Sequence, residues 1–370
     1  MPLEIVKKLA DSERPKCDIE FIDIQNDRLF TSSEGGNVKI WNKENLKATG
    51  ELDANQCPVT CIAVKGNILY AGTSGGNIVL WDIEKATIIR ELNEHQGSLA
   101  KIRVFGDLVV SGDTEGKVRV WEGDTLIHLY ETSEEVWDFD LTDDHLYSIR
   151  DRDLLVQKIK KTERGHSLST TKVLEARGPM CRLDGNIAVI SRDGMDIHIL
   201  EDDKAFFKRI GIIKVGRGGG SNRCFGKSPT RKRKEQQRKA IISSALMKSS
   251  SSLMLEALDR LRLVGIVYER NLHHVSSRVN IRQRTPFVFK RKEKGQDRII
   301  NALAYGQQSK THLYSGGWDN TVRSYDLQTF TPLSRLDVGQ AVNCIRPDPS
   351  SSGHIFVGGN NGLLCKILDR

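Results

Sequence analysis

No apolar run in the chain approaches the ~20 residues that a membrane-spanning helix needs. The opening, Met1-Pro2-Leu3-Glu4-Ile5-Val6-Lys7-Lys8, has no apolar core of the secretory kind. Both absences lead to the expectation of a soluble, cytoplasmic protein, with the nucleus as a second compartment. Cysteine is sparse and odd in number, seven residues at positions 17, 57, 61, 181, 224, 344 and 365. No two of them have the Cys-x-x-Cys spacing of a redox dithiol or a zinc knuckle, so reduced thiols and no metal are expected. No glycine-rich phosphate loop joins a strand to a helix, and no carboxylate pair stands out from the loops. The sequence therefore points away from an enzyme, a cofactor and a small-molecule substrate.

What is present is repetition. Trp41, Trp81 and Trp121 lie forty residues apart, and each closes one phrase: Gly36-Asn37-Val38-Lys39-Ile40-Trp41, Gly76-Asn77-Ile78-Val79-Leu80-Trp81 and Gly116-Lys117-Val118-Arg119-Val120-Trp121. Ahead of each phrase stand runs that alternate as half-buried strands do, such as Ile19-Glu20-Phe21-Ile22-Asp23-Ile24 and Val59-Thr60-Cys61-Ile62-Ala63-Val64. Weaker copies put Gln157, Leu200, Tyr325 and Ile367 in the tryptophan position, which makes seven copies. A period near forty with a tight turn and a closing aromatic is the pattern of a four-stranded propeller blade. Through Trp81-Asp82, Trp121-Glu122 and Tyr325-Asp326 the chain resembles the WD-repeat family.

Successive anchors are separated by 40, 40, 36, 43, 125 and 42 residues. The long interval exceeds the one before it by 82 residues, and without that excess 288 residues remain for seven units of about forty-one. The expected architecture is all-β: a seven-bladed WD-repeat β-propeller with a non-propeller insertion between blades five and six. Blades one to five occupy 1–213, the insertion 214–297, and blades six and seven 298–370. The last copy stops at Arg370 after three strands, so the alternating segment Leu3 to Leu9 is expected to supply the fourth and close the ring, which removes an open sheet edge.

The insertion carries the chain's basicity. Between Gly211 and Asp297 there are 21 Lys and Arg against 6 Asp and Glu, and the remainder holds 35 against 42. Gly216 to Asn222 reads as flexible linker. Arg231, Lys232, Arg233, Lys234, Arg238 and Lys239 form a dense basic cluster, read as an import signal, a polyanion-binding patch or a solvated charge run. Ser228 before Pro229 is a phosphorylation candidate whose phosphate would offset nearly two of those charges. Ser252 could cap a helix over Leu253 to Val264. The abrupt edges of the segment leave a further reading open, that it is a translated intron or an error in the gene model and no part of the working protein.

The resemblance also implies a hydrogen-bond chain within each blade, from His to Ser or Thr to Trp with an Asp in the tight turn. Blade three comes nearest, with His95, Ser111, Trp121 and Glu115 in the Asp slot; blade six keeps Ser315, Asp319 and Tyr325 without the His. Elsewhere the turn slot holds Gly35, Gly75, Asp151, Gly194 or Asn361, residues suited to positive φ. His198, between Ile197 and Ile199, reads as a strand residue.

Family members use the ring of loops at one end of the blades to hold partner proteins. Carried onto this chain, the transferable positions include Glu20, Glu34, Trp137, Arg150, Asp193, Trp318 and Asn360. The turn Gly317-Trp318-Asp319 looks similar to that of G-protein beta subunits, where an aromatic contact residue stands. An exposed tryptophan is a frequent binding hot spot, and Glu20, Glu34, Glu135 and Asp193 around the two tryptophans favour other proteins or basic peptides as partners. The expected function is a non-catalytic protein-protein interaction scaffold or adaptor. Two alternatives stay open: a ubiquitin-ligase substrate receptor, against which only about sixteen residues precede blade one, and a nuclear factor that binds nucleic acid through the insertion.

Overall fold

In the computed structural model the described residues are 2–33, 35–53, 57–132, 134–162, 165–202, 207–215, 300–306, 311–350 and 352–369, with 161, 162, 165 and 166 described by backbone alone. The basic cluster Arg231–Lys239, Ser228, the helix expected from Leu253 and the candidate Glu34 all lie outside them.

The described strands form seven separate four-stranded antiparallel sheets. After β1 (Leu3–Lys8), blade one is β2 (Ile19–Gln25), β3 (Arg28–Ser33), β4 (Asn37–Asn42) and β5 (Ala48–Asp53). Blade two is β6 (Val59–Lys65), β7 (Ile68–Thr73), β8 (Ile78–Asp82) and β9 (Thr87–Leu92). Blade three is β10 (Leu99–Phe105), β11 (Leu108–Asp113), β12 (Lys117–Glu122) and β13 (Thr125–Glu131). Blade four is β14 (Asp138–Leu141), β15 (His145–Arg150), β16 (Asp153–Thr162) and β17 (Gly165–Glu175). Blade five is β18 (Arg177–Leu183), β19 (Asn186–Ile190), β20 (Asp196–Glu201) and β21 (Arg209–Lys214). Blade six is β22 (Ile300–Tyr305), β23 (His312–Gly317), β24 (Thr321–Asp326) and β25 (Thr331–Asp337). Blade seven is β26 (Val342–Pro347), β27 (His354–Gly359) and β28 (Leu363–Asp369), with β1 as its fourth strand.

The first strands of successive blades lie side by side around a central channel. Buried apolar residues pack between blades, as Phe30, Val38 and Leu52 of blade one do with Ile62, Leu69 and Trp81 of blade two. All seven expected anchors take one place in this scheme. Trp41, Trp81, Trp121, Gln157, Leu200, Tyr325 and Ile367 pair with Leu29, Leu69, Val109, Leu146, Ile187, Leu313 and Ile355 of the second strand. Every one of the seven anchors is buried.

Ring closure falls on the N-terminus. Leu3 pairs with Asp369, Ile5 with Ile367 and Lys8 with Cys365, and the Leu9 amide donates to the Leu364 carbonyl. Leu3 and Leu9 are buried, and Lys8 Nζ reaches the Val338 carbonyl at 2.7 Å. Blades seven and one are further tied by the buried pair of Lys43 Nζ with Asp348, 3.3 Å apart.

Blade-to-blade contact sets residue size on the second strands. A Cβ on Gly72 would stand 2.7 Å from Cys61 Sγ and 2.9 Å from Leu99 of the next blade, and one on Gly112 would stand 2.9 Å from the Phe139 ring. Gly316 and Gly358 are closed in the same way by Val342 and Ile19, and blade one has buried Ser32 at this position.

Candidate interaction face

The first strand of a blade begins where its second strand ends, as Ile300 opposite Gly317 shows. The connection entering each blade and the turn between its second and third strands therefore share one end of the ring. In blades one to three those turns carry glycine at positive φ: Gly36 at 85°, Gly76 at 90° and Gly116 at 81°. The expectation placed this conformation at Gly35 and Gly75; it falls one residue later. Either glycine of each pair can adopt positive φ, and at the second one a side chain is also excluded by space in blades two and three: a Cβ on Gly76 would meet the His95 carbonyl at 2.6 Å and one on Gly116 the Glu134 carbonyl at 2.6 Å. Asp151, Gly194 and Asn361 do have positive φ.

Trp318 and Trp137 both stand at this end, with 51 % and 52 % of their surfaces exposed. The turn beneath Trp318 is fixed. Asp319 accepts from Thr321 Oγ1 at 2.8 Å and from Arg323 Nη2 at 2.6 Å, and the Val338 amide donates to the Asn320 carbonyl. The ring thus projects from a held turn, which lowers the entropy a contact through it would lose. Trp137 immediately precedes β14, and its amide donates to the Ile149 carbonyl at 2.8 Å. Arg150, half-buried, pairs with exposed Glu134. Exposed Glu135 shares the loop of Glu134, and exposed Glu115 stands in the β11–β12 turn, which packs against that loop through Gly116 and the Glu134 carbonyl.

The remaining expected ring positions differ in how much they offer a partner. Asp193 is exposed, but one carboxylate oxygen is taken up in its own turn by Ser191 Oγ at 2.5 Å and the Met195 amide at 3.1 Å. Glu20 is half-buried on β2. Asn360 begins a short 3-10 turn and its amide donates to the Ala341 carbonyl. Thr60 and Asn343, at equivalent places, stitch neighbouring blades: Thr60 Oγ1 donates to the Leu99 carbonyl at 2.6 Å, and Asn343 Nδ2 donates to the Ile19 carbonyl at 3.2 Å.

The channel at the ring's centre encloses about 730 Å³. Its wall carries Lys101, Arg103, Arg182 and Arg346, and each has a carboxylate partner. Asp138 takes Lys101 at 2.8 Å and Arg103 at 3.0 Å, Asp140 takes Arg182 at 3.1 Å, and Asp23 takes Arg346 at 2.9 Å. Asp138 also accepts the Met180 amide of the next blade at 2.9 Å. Burial pushes the Lys101 ammonium below its usual range against the pull of Asp138. These charges are spent on joining blades three, four, five, seven and one.

The polar chain inside blade three shows why its Ser, His and Asp are structural. Trp121 Nε1 donates to Ser111 Oγ at 2.8 Å, Ser111 lies 2.6 Å from His95 Nε2, and His95 Nδ1 lies 2.7 Å from Asp113. All four residues are buried. The expected acid, Glu115, is not in the chain: Asp113, at the end of β11, takes its role and also receives the Glu115 and Lys117 amides. Burial, with Arg119 Nη1 2.9 Å from Nδ1, holds the basicity of His95 below its usual range against the pull of Asp113. In blade six Ser315 Oγ and the Tyr325 hydroxyl are 3.0 Å apart, and Arg323 occupies the carboxylate of Asp319. His198 is half-buried on β20 opposite Val189.

Three of the four aromatic anchors bond ten residues back: Trp41 to Thr31 at 2.9 Å, Trp121 to Ser111, Tyr325 to Ser315. Blade two has Ala71 there, and Trp81 Nε1 is buried with no partner among the described residues. Ala71→Ser should place a hydroxyl under that N–H and raise stability by about 1 kcal/mol, the net value of one buried hydrogen bond. Urea titration checks it; a drop in stability would mean the pocket lacks room for the oxygen.

Comparison with known proteins supports this reading of the fold. The family described as "WD domain, G-beta repeat" matches residues 288–326, which contain the first three strands of blade six. Among solved structures, the WD40 β-propeller domain of Doa1 is similar with a TM-score of 0.66 at 12 % identity, over 100 % of this chain and 97 % of that one. The computationally designed Ika8 protein is similar with a TM-score of 0.55 at 14 % identity, over 96 % and 98 %. No curated protein matches the chain. The seven four-stranded sheets of the described residues form a β-propeller, and the WD-repeat family matches it in the sixth blade.

Proposed function

We propose that the chain is a non-catalytic interaction scaffold that holds a partner protein or basic peptide on the blade-entry end of the ring. Two tryptophans half out in solvent on held turns carry this reading, because a large apolar ring fixed in water is what a binding hot spot requires. Trp318 serves as an apolar anchor, since the neighbouring Asp319 is already engaged by Arg323 and Thr321. Near Trp137, exposed Glu135 and Glu115 stand beside the Glu134–Arg150 pair, which favours a cationic partner surface there. The polar chains in the blades are buried and structural, in keeping with a scaffold and with no catalytic role.

Site-specific cross-linking tests the reading. A photoreactive p-benzoylphenylalanine at position 318 or 137 should give discrete adducts with a partner in cells, while the same residue at Ile89, exposed on the outer strand β9, should give none of those adducts. Identical adducts from all three positions would contradict a dedicated face.

A further inference from the structure

The outer hairpin of blade four is longer than any other. The outermost strands of the other six blades have 6 or 7 residues, whereas β17 has 11 and its partner β16 has 10. β15 supports β16 only as far as Lys158, which pairs with His145, and the last tie is the Ile159 amide to the Asp144 carbonyl. Beyond it, from Ile159 opposite Leu168 to Thr162 opposite Gly165, the two strands continue as a ribbon with no third strand. A bare two-stranded ribbon is marginal in water. One face is held by Ile159 and Leu168, which pack against the cluster between blades three and four that includes Val110, Tyr130 and Leu146.

Among the described residues no strand pairs with the ribbon's outer edge, and its other face is exposed at Lys158 and Lys160. Pairing Lys158 with Ser169 and Lys160 with Ser167 puts two exposed lysines and two small hydroxyl residues on the solvent side. From Gly165 to Thr171 the edge strand, Gly-His-Ser-Leu-Ser-Thr-Thr, has no carboxylate, lysine, arginine or proline. Those are the residues that ordinarily blunt a free edge.

We infer that β17 is a docking edge for an extended segment of a partner protein in which acidic and apolar residues alternate, added as a third strand to the β16–β17 ribbon. A strand laid beside β17 would lie about 5 Å from it. Its acidic side chains would share the face of Lys158 and Lys160, whose long side chains reach across the small serines. Its apolar side chains would share the face of Leu168. This site is separate from the tryptophan-bearing end, so either can fail without the other.

The test is fluorescence anisotropy of the full-length protein with a fluorescein-labelled seven-residue peptide alternating Val and Glu. The parent should bind it at least tenfold more tightly than a Val–Lys peptide. A copy with proline at its central valine, unable to complete a ladder, should bind at least tenfold more weakly. Two variants should each lose at least tenfold in affinity: one with residues 160–167 replaced by Asn-Gly, which closes the hairpin at the length of its neighbours, and the surface double variant Lys158→Glu/Lys160→Glu. A thermal melt like the parent's shows that either has folded. No binding by the parent, equal binding of the Val–Lys or proline peptide, or undiminished binding by either folded variant overturns the proposal.

Discussion

Removal of residues 1–10 should lower the melting temperature sharply and leave the shortened chain prone to associate. The deletion takes away the whole ladder between β1 and β28 and the burial of Leu3 and Leu9. Full burial of a leucine side chain stabilises by about 1.5–3 kcal/mol, so the two alone account for roughly 3–6 kcal/mol. That is a large share of the ~5–15 kcal/mol that holds a domain folded. It also uncovers β28, whose side chains from Leu363 to Ile367 are all buried, as a free apolar edge. Differential scanning calorimetry with light scattering would show both effects; an unchanged melt would mean the ring does not depend on its N-terminal strand.

The second large effect separates two kinds of tryptophan. Trp121→Ala should cost roughly 3–5 kcal/mol, because it empties a packed site in a core, and it also strips Ser111 of its donor. Trp318→Ala, at a ring half in solvent, should change stability by less than about 1 kcal/mol. Urea unfolding of the two variants beside the parent checks the contrast. Comparable losses would show that Trp318 is a packing residue.

Much of the fold could be read from the chain because blades repeat a register. Where the anchor is aromatic, a strict spacing locates the turn and the third strand; where it is Gln157, Leu200 or Ile367, the alternating residues around it still point the same way. Small residues nine positions before an anchor, Ser32, Gly72, Gly112, Gly316 and Gly358, were a further signal in the sequence. Their cause lies in the next blade's first strand, so no single repeat reveals it.

Other features depended on geometry that spacing does not specify. Glu115 has the expected place in the count, but a carboxylate at the end of β11 already reaches His95, so Asp113 completes the chain. In Gly35-Gly36 and Gly75-Gly76 two adjacent glycines are equally free to adopt positive φ, so the sequence does not say that the second of each pair takes it. The ribbon of blade four escaped notice because a spacing of 36 followed by one of 43 hides eight residues of outer hairpin inside an unremarkable average. Of the candidate face, the exposure of the two tryptophans followed from their position away from blade anchors. The engagement of Asp193 and Asp319 within their own turns is a matter of local side-chain reach that a linear reading does not give.

The central claim, that the tryptophan-bearing end of the ring holds a protein partner, is tested most directly by affinity purification with quantitative mass spectrometry on the parent and the Trp318→Ala/Trp137→Ala double variant. The expected result is a defined set of proteins with the parent and its depletion by at least tenfold with the double variant, at equal melting temperature. Recovery of the full set by the folded double variant would contradict it.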